Sequence, residues 1–155
     1  MAAQKTQPAA KAAMLIRKPL HEVFVAMVNP EITSQFWFSK GTGRLDKEKK
    51  VKWEWEMYGV SQEVTVQEVI PNRSIAFNWG DTDVTITFEP KGDNATFISM
   101  EETGFAADDP DLIEKIVGQT EGWTLVCAAM KAYLEQGVRI KVVEDRHPDL
   151  VAKKA

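Results

Sequence analysis

The chain has 155 residues and carries 19 Lys and Arg against 23 Asp and Glu, a net charge of -4; that length buries a core without disulfides or metals, and that sign excludes the basic footprint of a nucleic-acid binder. One cysteine, Cys127, excludes an internal disulfide, and two scattered histidines, His21 and His147, are too few for a zinc site. No apolar run reaches the roughly 18–20 residues of a membrane span and the opening residues lack a secretory apolar core, so the expected setting is cytoplasmic.

Residues 1–12, rich in Ala, Gln and Lys, read as a loose tail before one domain over 13–145, with a polar tail over 146–155. Met14 to Arg17 predicts a first strand. Pro19 suits the first turn of a helix, because a missing N–H costs nothing there. Leu20, Val23, Phe24 and Met27 then form an apolar stripe, which Asn29-Pro30 ends. A second short helix is expected from Pro30 to about Phe36. Phe36, Trp37 and Phe38 follow in direct succession, which no single face can bury completely.

Gly43 to Leu45 reads as a short strand and Asp46 to Lys50 as a charged hairpin tip. Val51, Trp53, Trp55 and Met57 alternate with Lys52, Glu54 and Glu56, predicting a strand over 51–58 with one inward face. Further strands are expected over 62–70, 74–79, 83–89 and 95–102, with Ile75, Phe77 and Trp79, then Val84, Ile86 and Phe88, facing inward. Strands at this spacing with no helix between them make an antiparallel meander. Asp108, Asp109, Pro110 and Asp111 suit a helix start, and Gly137 suits its stop. Between them Trp123, Cys127, Met130 and Leu134 recur at helical spacing. Gly118 and Gly122 are expected to interrupt this helix, leaving a longer piece from about Thr120. Val138 to Val143 reads as a short extension. The pattern is α+β: a curved sheet laid around one long helix, a body that can hold a cavity.

That order, with Pro19-x-x-x-Val23-Phe24, Glu31 to Phe36-Trp37, Trp53-x-Trp55, Pro71-Asn72-Arg73-Ser74-Ile75 and Phe77-x-Trp79, resembles the START-like, helix-grip superfamily. Thr96-x-Ile98-x-Met100-x-Glu102-Thr103-Gly104-Phe105 and Gly122-Trp123-x-x-x-Cys127-x-x-Met130-x-x-Tyr133-Leu134-Glu135-x-Gly137 narrow the likeness to the activator of heat-shock-protein-90 ATPase family, over roughly residues 12–145. The resemblance implies a curved antiparallel sheet of about six or seven strands around a long C-terminal helix, with two short helices after the first strand. It also implies a deep apolar cavity between sheet and final helix. Eukaryotic co-chaperones of the family carry an additional N-terminal domain, whereas stand-alone members are similar to small-molecule binding proteins.

The candidate ligand-binding residues are Trp37, Trp53, Trp55, Met57, Phe77, Trp79, Phe88, Met100, Glu102, Trp123, Cys127 and Met130. The aromatic rings serve either as pocket walls or as core filling, with Trp55 and Trp123 the leading pocket residues. Methionines suit a pocket that adapts its shape. Glu102 has the inward phase of its strand, but the bland expectation is a solvated strand end beside Glu101. Tyr58 and Tyr133 are expected at a rim. Cys127 among apolar neighbours is a core thiol, and His21 and the Asp145-Arg146-His147 cluster are expected in water. Gly41-Thr42-Gly43 is a turn rather than a phosphate cradle.

No catalytic residue, metal or cofactor is expected. The leading function is non-enzymatic binding of a small hydrophobic molecule. An alternative is a polyketide-like cyclase, hydratase or dehydratase, which needs a buried polar group such as Glu102 with a partner. A third is a stress- or chaperone-related interaction module, with a chaperone or a second copy of the chain as partner. Its mark would be an exposed apolar patch at Phe36–Phe38 or Phe105.

Overall fold

Alternation of bulky and polar side chains yields seven antiparallel strands in the order β1-β7-β6-β5-β4-β3-β2. The computed structural model describes residues 7–150. Its elements are β1 (Ala10–Ile16), α1 (Leu20–Val28), α2 (Pro30–Thr33), β2 (Lys40–Gly41), β3 (Lys50–Trp55), β4 (Val60–Ile70), β5 (Ser74–Trp79), β6 (Thr82–Pro90), β7 (Thr96–Thr103), α3 (Leu112–Gln136) and α4 (Val142–Arg146). Register sets Phe77 opposite Val84 and Ile86 opposite Met100. With the period of two, this places Ile75, Phe77, Val84, Ile86, Phe88, Ile98 and Met100 in one core. The curved sheet grips α3, whose Trp123, Val126, Cys127, Ala129 and Met130 supply the other wall. Gly137 ends that helix at φ 67°, where a Cβ would be strained.

Several elements differ from expectation. β1 starts at Ala10, inside the segment read as a tail, because pairing with β7 from Glu102 to Thr96 gives its backbone partners. Of that segment, residues 1–6 lie outside the described residues, as do 151–155 of the C-terminal tail. Phe36, Trp37 and Phe38 are all buried. α2 stops at Thr33, so the turning chain sends Phe36 toward Tyr133 while Trp37 and Phe38 reach Trp53. The short strand is Lys40–Gly41 rather than Gly43–Leu45. A Cβ on Gly41 would sit 2.9 Å from the Pro30 Cβ and 3.2 Å from the Trp53 ring, an approach that favours glycine. β3 ends at Trp55, and a 3-10 turn over Glu56–Tyr58 removes Met57 from the inward strand face. Half-buried there, Met57 accepts a 3.6 Å contact from the Ser39 hydroxyl on its Sδ.

α3 runs unbroken for 25 residues through Gly118 and Gly122. Each glycine costs about 1 kcal/mol relative to alanine, less than the packing of the C-terminal half supplies. The stretch expected as an extension ends in α4 instead. Arg146 of α4 pairs with Glu121 and the Tyr58 hydroxyl donates to the Val143 carbonyl, so α4 docks on the body, while Asp145, Arg146 and His147 are exposed as expected.

Candidate ligand-binding site

Five tryptophans from four parts of the chain meet between the sheet and α3. Trp37 comes from the connection after α2, Trp53 and Trp55 from β3, Trp79 from the end of β5, and Trp123 from α3. Trp37 stands at the centre, with ring centroids 4.9 Å from Trp53, 6.0 Å from Trp55 and 5.2 Å from Trp123. It lies parallel to Trp79 at 5.6 Å. Most of these pairs are tilted or edge-to-face, the geometries that the ring quadrupole favours. The rings therefore occupy the middle of the space expected as one deep cavity.

The open volume lies beside them. A cleft of about 330 Å³ has walls of Trp37, Trp55, Tyr58, Trp79, Trp123, Val60, Val126 and Val143, with Ser61, Gln62, Gln119 and Gly122 completing it. A polar groove of about 800 Å³ shares Gln62, Trp79 and Gln119 with the cleft and continues past Glu102 and Gly118 to Asp81, Asp109, Asp111, Glu114 and Lys115. Gly118 and Gly122 meet nothing within 4 Å at the position of a Cβ. The helix is thus bare of side chains at two positions where it borders the open volume.

Of the candidate residues, Trp37, Trp55, Trp79 and Trp123 come together on the cleft, and Glu102 borders the adjoining groove. Met57 faces a separate depression near Phe36, Phe38 and Arg139. Trp53, Phe77, Phe88, Met100, Cys127 and Met130 sit away from the cleft, in the core. Phe88 there packs edge-on against Phe24 at 5.5 Å. The Cys127 Sγ lies 3.8 Å from the Met100 Sδ, and burial pushes the thiol up to about 12, which leaves it unreactive. Gln62, Gln119, Gly122 and Val126 were missed. Gln119, Gly122, Trp123 and Val126 fall at i, i+3, i+4 and i+7, one face of an unbroken helix; the expected break at the glycines hid it.

Glu102 departs most from the sequence expectation. It is 2% exposed, the single buried carboxylate among the described residues. Its Oε1 accepts from the Trp123 Nε1–H and the Gln119 amide, each at 2.8 Å. Its Oε2 lies 2.7 Å from the Thr82 hydroxyl, whose one proton can go there or to the Trp79 carbonyl at 3.0 Å. Two N–H donors converge on one oxygen, an arrangement suited to a carboxylate. The side chain ties β7 to α3 and fixes the tilt of the Trp123 indole. His21, by contrast, is exposed and its Nδ1 lies 3.0 Å from the Asn72 Oδ1.

Comparison with known proteins decides the family. The family model for "Activator of Hsp90 ATPase homolog 1-like protein" matches residues 17–135. The chain belongs to this family. No curated protein matches it. Among solved structures, the protein SSP2350 from Staphylococcus saprophyticus is 32% identical over 86% of this chain and 96% of its own, with a TM-score of 0.77. The Aha1 dimer from Colwellia psychrerythraea shares the fold at 14% identity, covering 83% of this chain and 97% of that one, with a TM-score of 0.68. A START superfamily protein from Mycobacterium smegmatis does so at 13% identity, over 84% and 99%, with a TM-score of 0.64. The family's helix-grip fold is therefore the observed fold. In this member the C-terminal segment closes one side of the cleft. Val143 lines it, held by the Tyr58 hydroxyl, and burial together with Glu144 and Asp145 raises the Tyr58 phenol above its usual range.

Proposed function

We propose that this protein binds a small hydrophobic molecule, in the cytoplasm, within the tryptophan cleft between the sheet and α3. The observation that carries this reading is an open volume of about 330 Å³ walled by four indoles and a tyrosine. That size lies at the lower end of small-molecule sites, roughly 300–1,000 Å³. Apolar area buried there stabilises a complex by about 25 cal/mol per Å² before ordering costs. Gln62 and Gln119 supply amides for a polar substituent. A glycine face on α3 leaves the approach open. No described helix is long and apolar enough to cross a membrane. The test is tryptophan fluorescence titration against lipids, sterols and polyketide-like aromatics. A saturable change that Trp79→Leu weakens supports the reading; an unchanged emission spectrum across the panel overturns it.

Glu102 favours a second reading, in which the same site performs acid–base chemistry on a polyketide-like substrate. A buried carboxylate with polar partners bordering a cleft is what such a reaction needs. Turnover lost in Glu102→Gln with binding retained supports it, and binding without turnover in the unaltered protein counts against it. The interaction-module reading has less support. Phe36, Trp37 and Phe38 are buried and leave no exposed patch there, and Phe105 is half-buried against the core.

A further inference from the structure

We infer that the molecule taken into the cleft is an organic cation, a flat apolar body bearing an amine or quaternary ammonium group. The inference rests on the cleft being a ligand site and adds the charge of its occupant. Trp37, Trp55, Tyr58, Trp79 and Trp123 surround one small volume. Aromatic faces carry negative quadrupolar potential and attract a cation within about 6 Å of the ring centre. Trp123 donates its N–H to the buried Glu102, which polarises the indole and makes its face more negative.

The polar groove that adjoins the cleft is predominantly acidic, whereas the depression behind Trp37 and Val143 carries Arg139 and Lys141 with Glu144. Among the described residues, no Lys, Arg or His lines the cleft. The adjoining groove carries Asp81, Glu102, Asp109, Asp111 and Glu114 against Lys115, five acidic side chains against one basic. That lysine is paired with Asp109. Three of these acids stand around the start of α3, where carboxylates stabilise any helix. Asp81, in the β5–β6 turn, belongs to another element and has no such role, while Glu102, on β7, is held by the donors of Gln119 and Trp123. An anionic ligand would meet repulsion along the groove, and a neutral one would gain nothing from it.

The experiment compares three probes that share a naphthylmethyl body on the full chain by calorimetry. They are naphthylmethyl-trimethylammonium, its neutral neopentyl isostere, and naphthylacetate. The cation is expected to bind about tenfold more tightly than the neutral isostere. That advantage should shrink as salt rises to about 0.3 M. It should also fall severalfold in the Asp81→Asn/Glu114→Gln double variant. Neutral or anionic binding at least as tight as the cation's overturns the charge assignment while leaving the hydrophobic site intact. Failure of all three to bind overturns both.

Discussion

The two halves of α3 belong to one helix and live in different surroundings. From Trp123 onward it buries Trp123, Val126, Cys127, Ala129 and Met130; from Leu112 to Gly122 it buries no residue. Ile113 and Val117 of the first half are 78% and 62% exposed. The second half is gripped by the sheet and holds the fold. The first half borders the groove and carries glycines at two of its open positions. Glu102 bridges the halves by accepting from Gln119 on one side and Trp123 on the other. The first half is thus a helix continued beyond its packing, thinned by glycine and tied down by one buried carboxylate.

Substitutions can break that contrast. Phe77→Ala, in the core that the second half covers, is expected to cost about 3–5 kcal/mol in denaturant melts, whereas Ile113→Ala should stay within about 0.5 kcal/mol. Equal losses at the two positions would erase the distinction. The buried thiol gives the next effect. With Cys127 raised to about 12 in the folded state, the unfolded chain releases this proton first as pH climbs past about 9. The contribution is complete below that pH and declines by about 1.4 kcal/mol per pH unit until about 12. Stability measured from pH 8 to 11 should therefore fall less steeply in Cys127→Val than in the unaltered protein, and matching slopes would refute the assignment.

Glu102→Leu should cost about 1–3 kcal/mol, because the Trp123 Nε1–H and the Gln119 amide then lose their shared acceptor. Amide exchange should rise in residues 112–122 more than in 123–136 if Glu102 is the tie between the halves. Smallest, and opposite in sign, Gly122→Ala should stabilise the protein by about 0.5–1 kcal/mol, since its Cβ meets nothing within 4 Å. The same substitution should weaken ligand uptake in the cleft. Gained stability with unchanged binding would remove the glycine face from the site.

Much of the fold was legible because its signals are local. The alternation through Trp53 and Trp55, through Phe77, and through Ile86 and Phe88 marked inward faces that the sheet retains. Asp46 shows the opposite limit. The Arg44 guanidinium bonded to it holds its carboxyl below the usual range, yet two neighbours on a surface turn say nothing of a site. Met57 was misplaced because alternation persists in sequence one step past the residue where β3 turns away. Gly118 and Gly122 were misread because propensity sees a weak local helix and not the gripped half that continues it.

The β4–β7 meander, the helix stop at Gly137 and the apolar sides of the strands were determined by the sequence alone, since backbone sterics and side-chain period act between near neighbours. Tertiary structure alone decided that Trp37 stacks on Trp79 in the middle of the body, that Glu102 is buried under Trp123, and that α4 docks on Glu121. Each of these joins residues far apart in the chain. The free energy of such a pair depends on which surfaces the closed fold withdraws from water, and no local pattern encodes that.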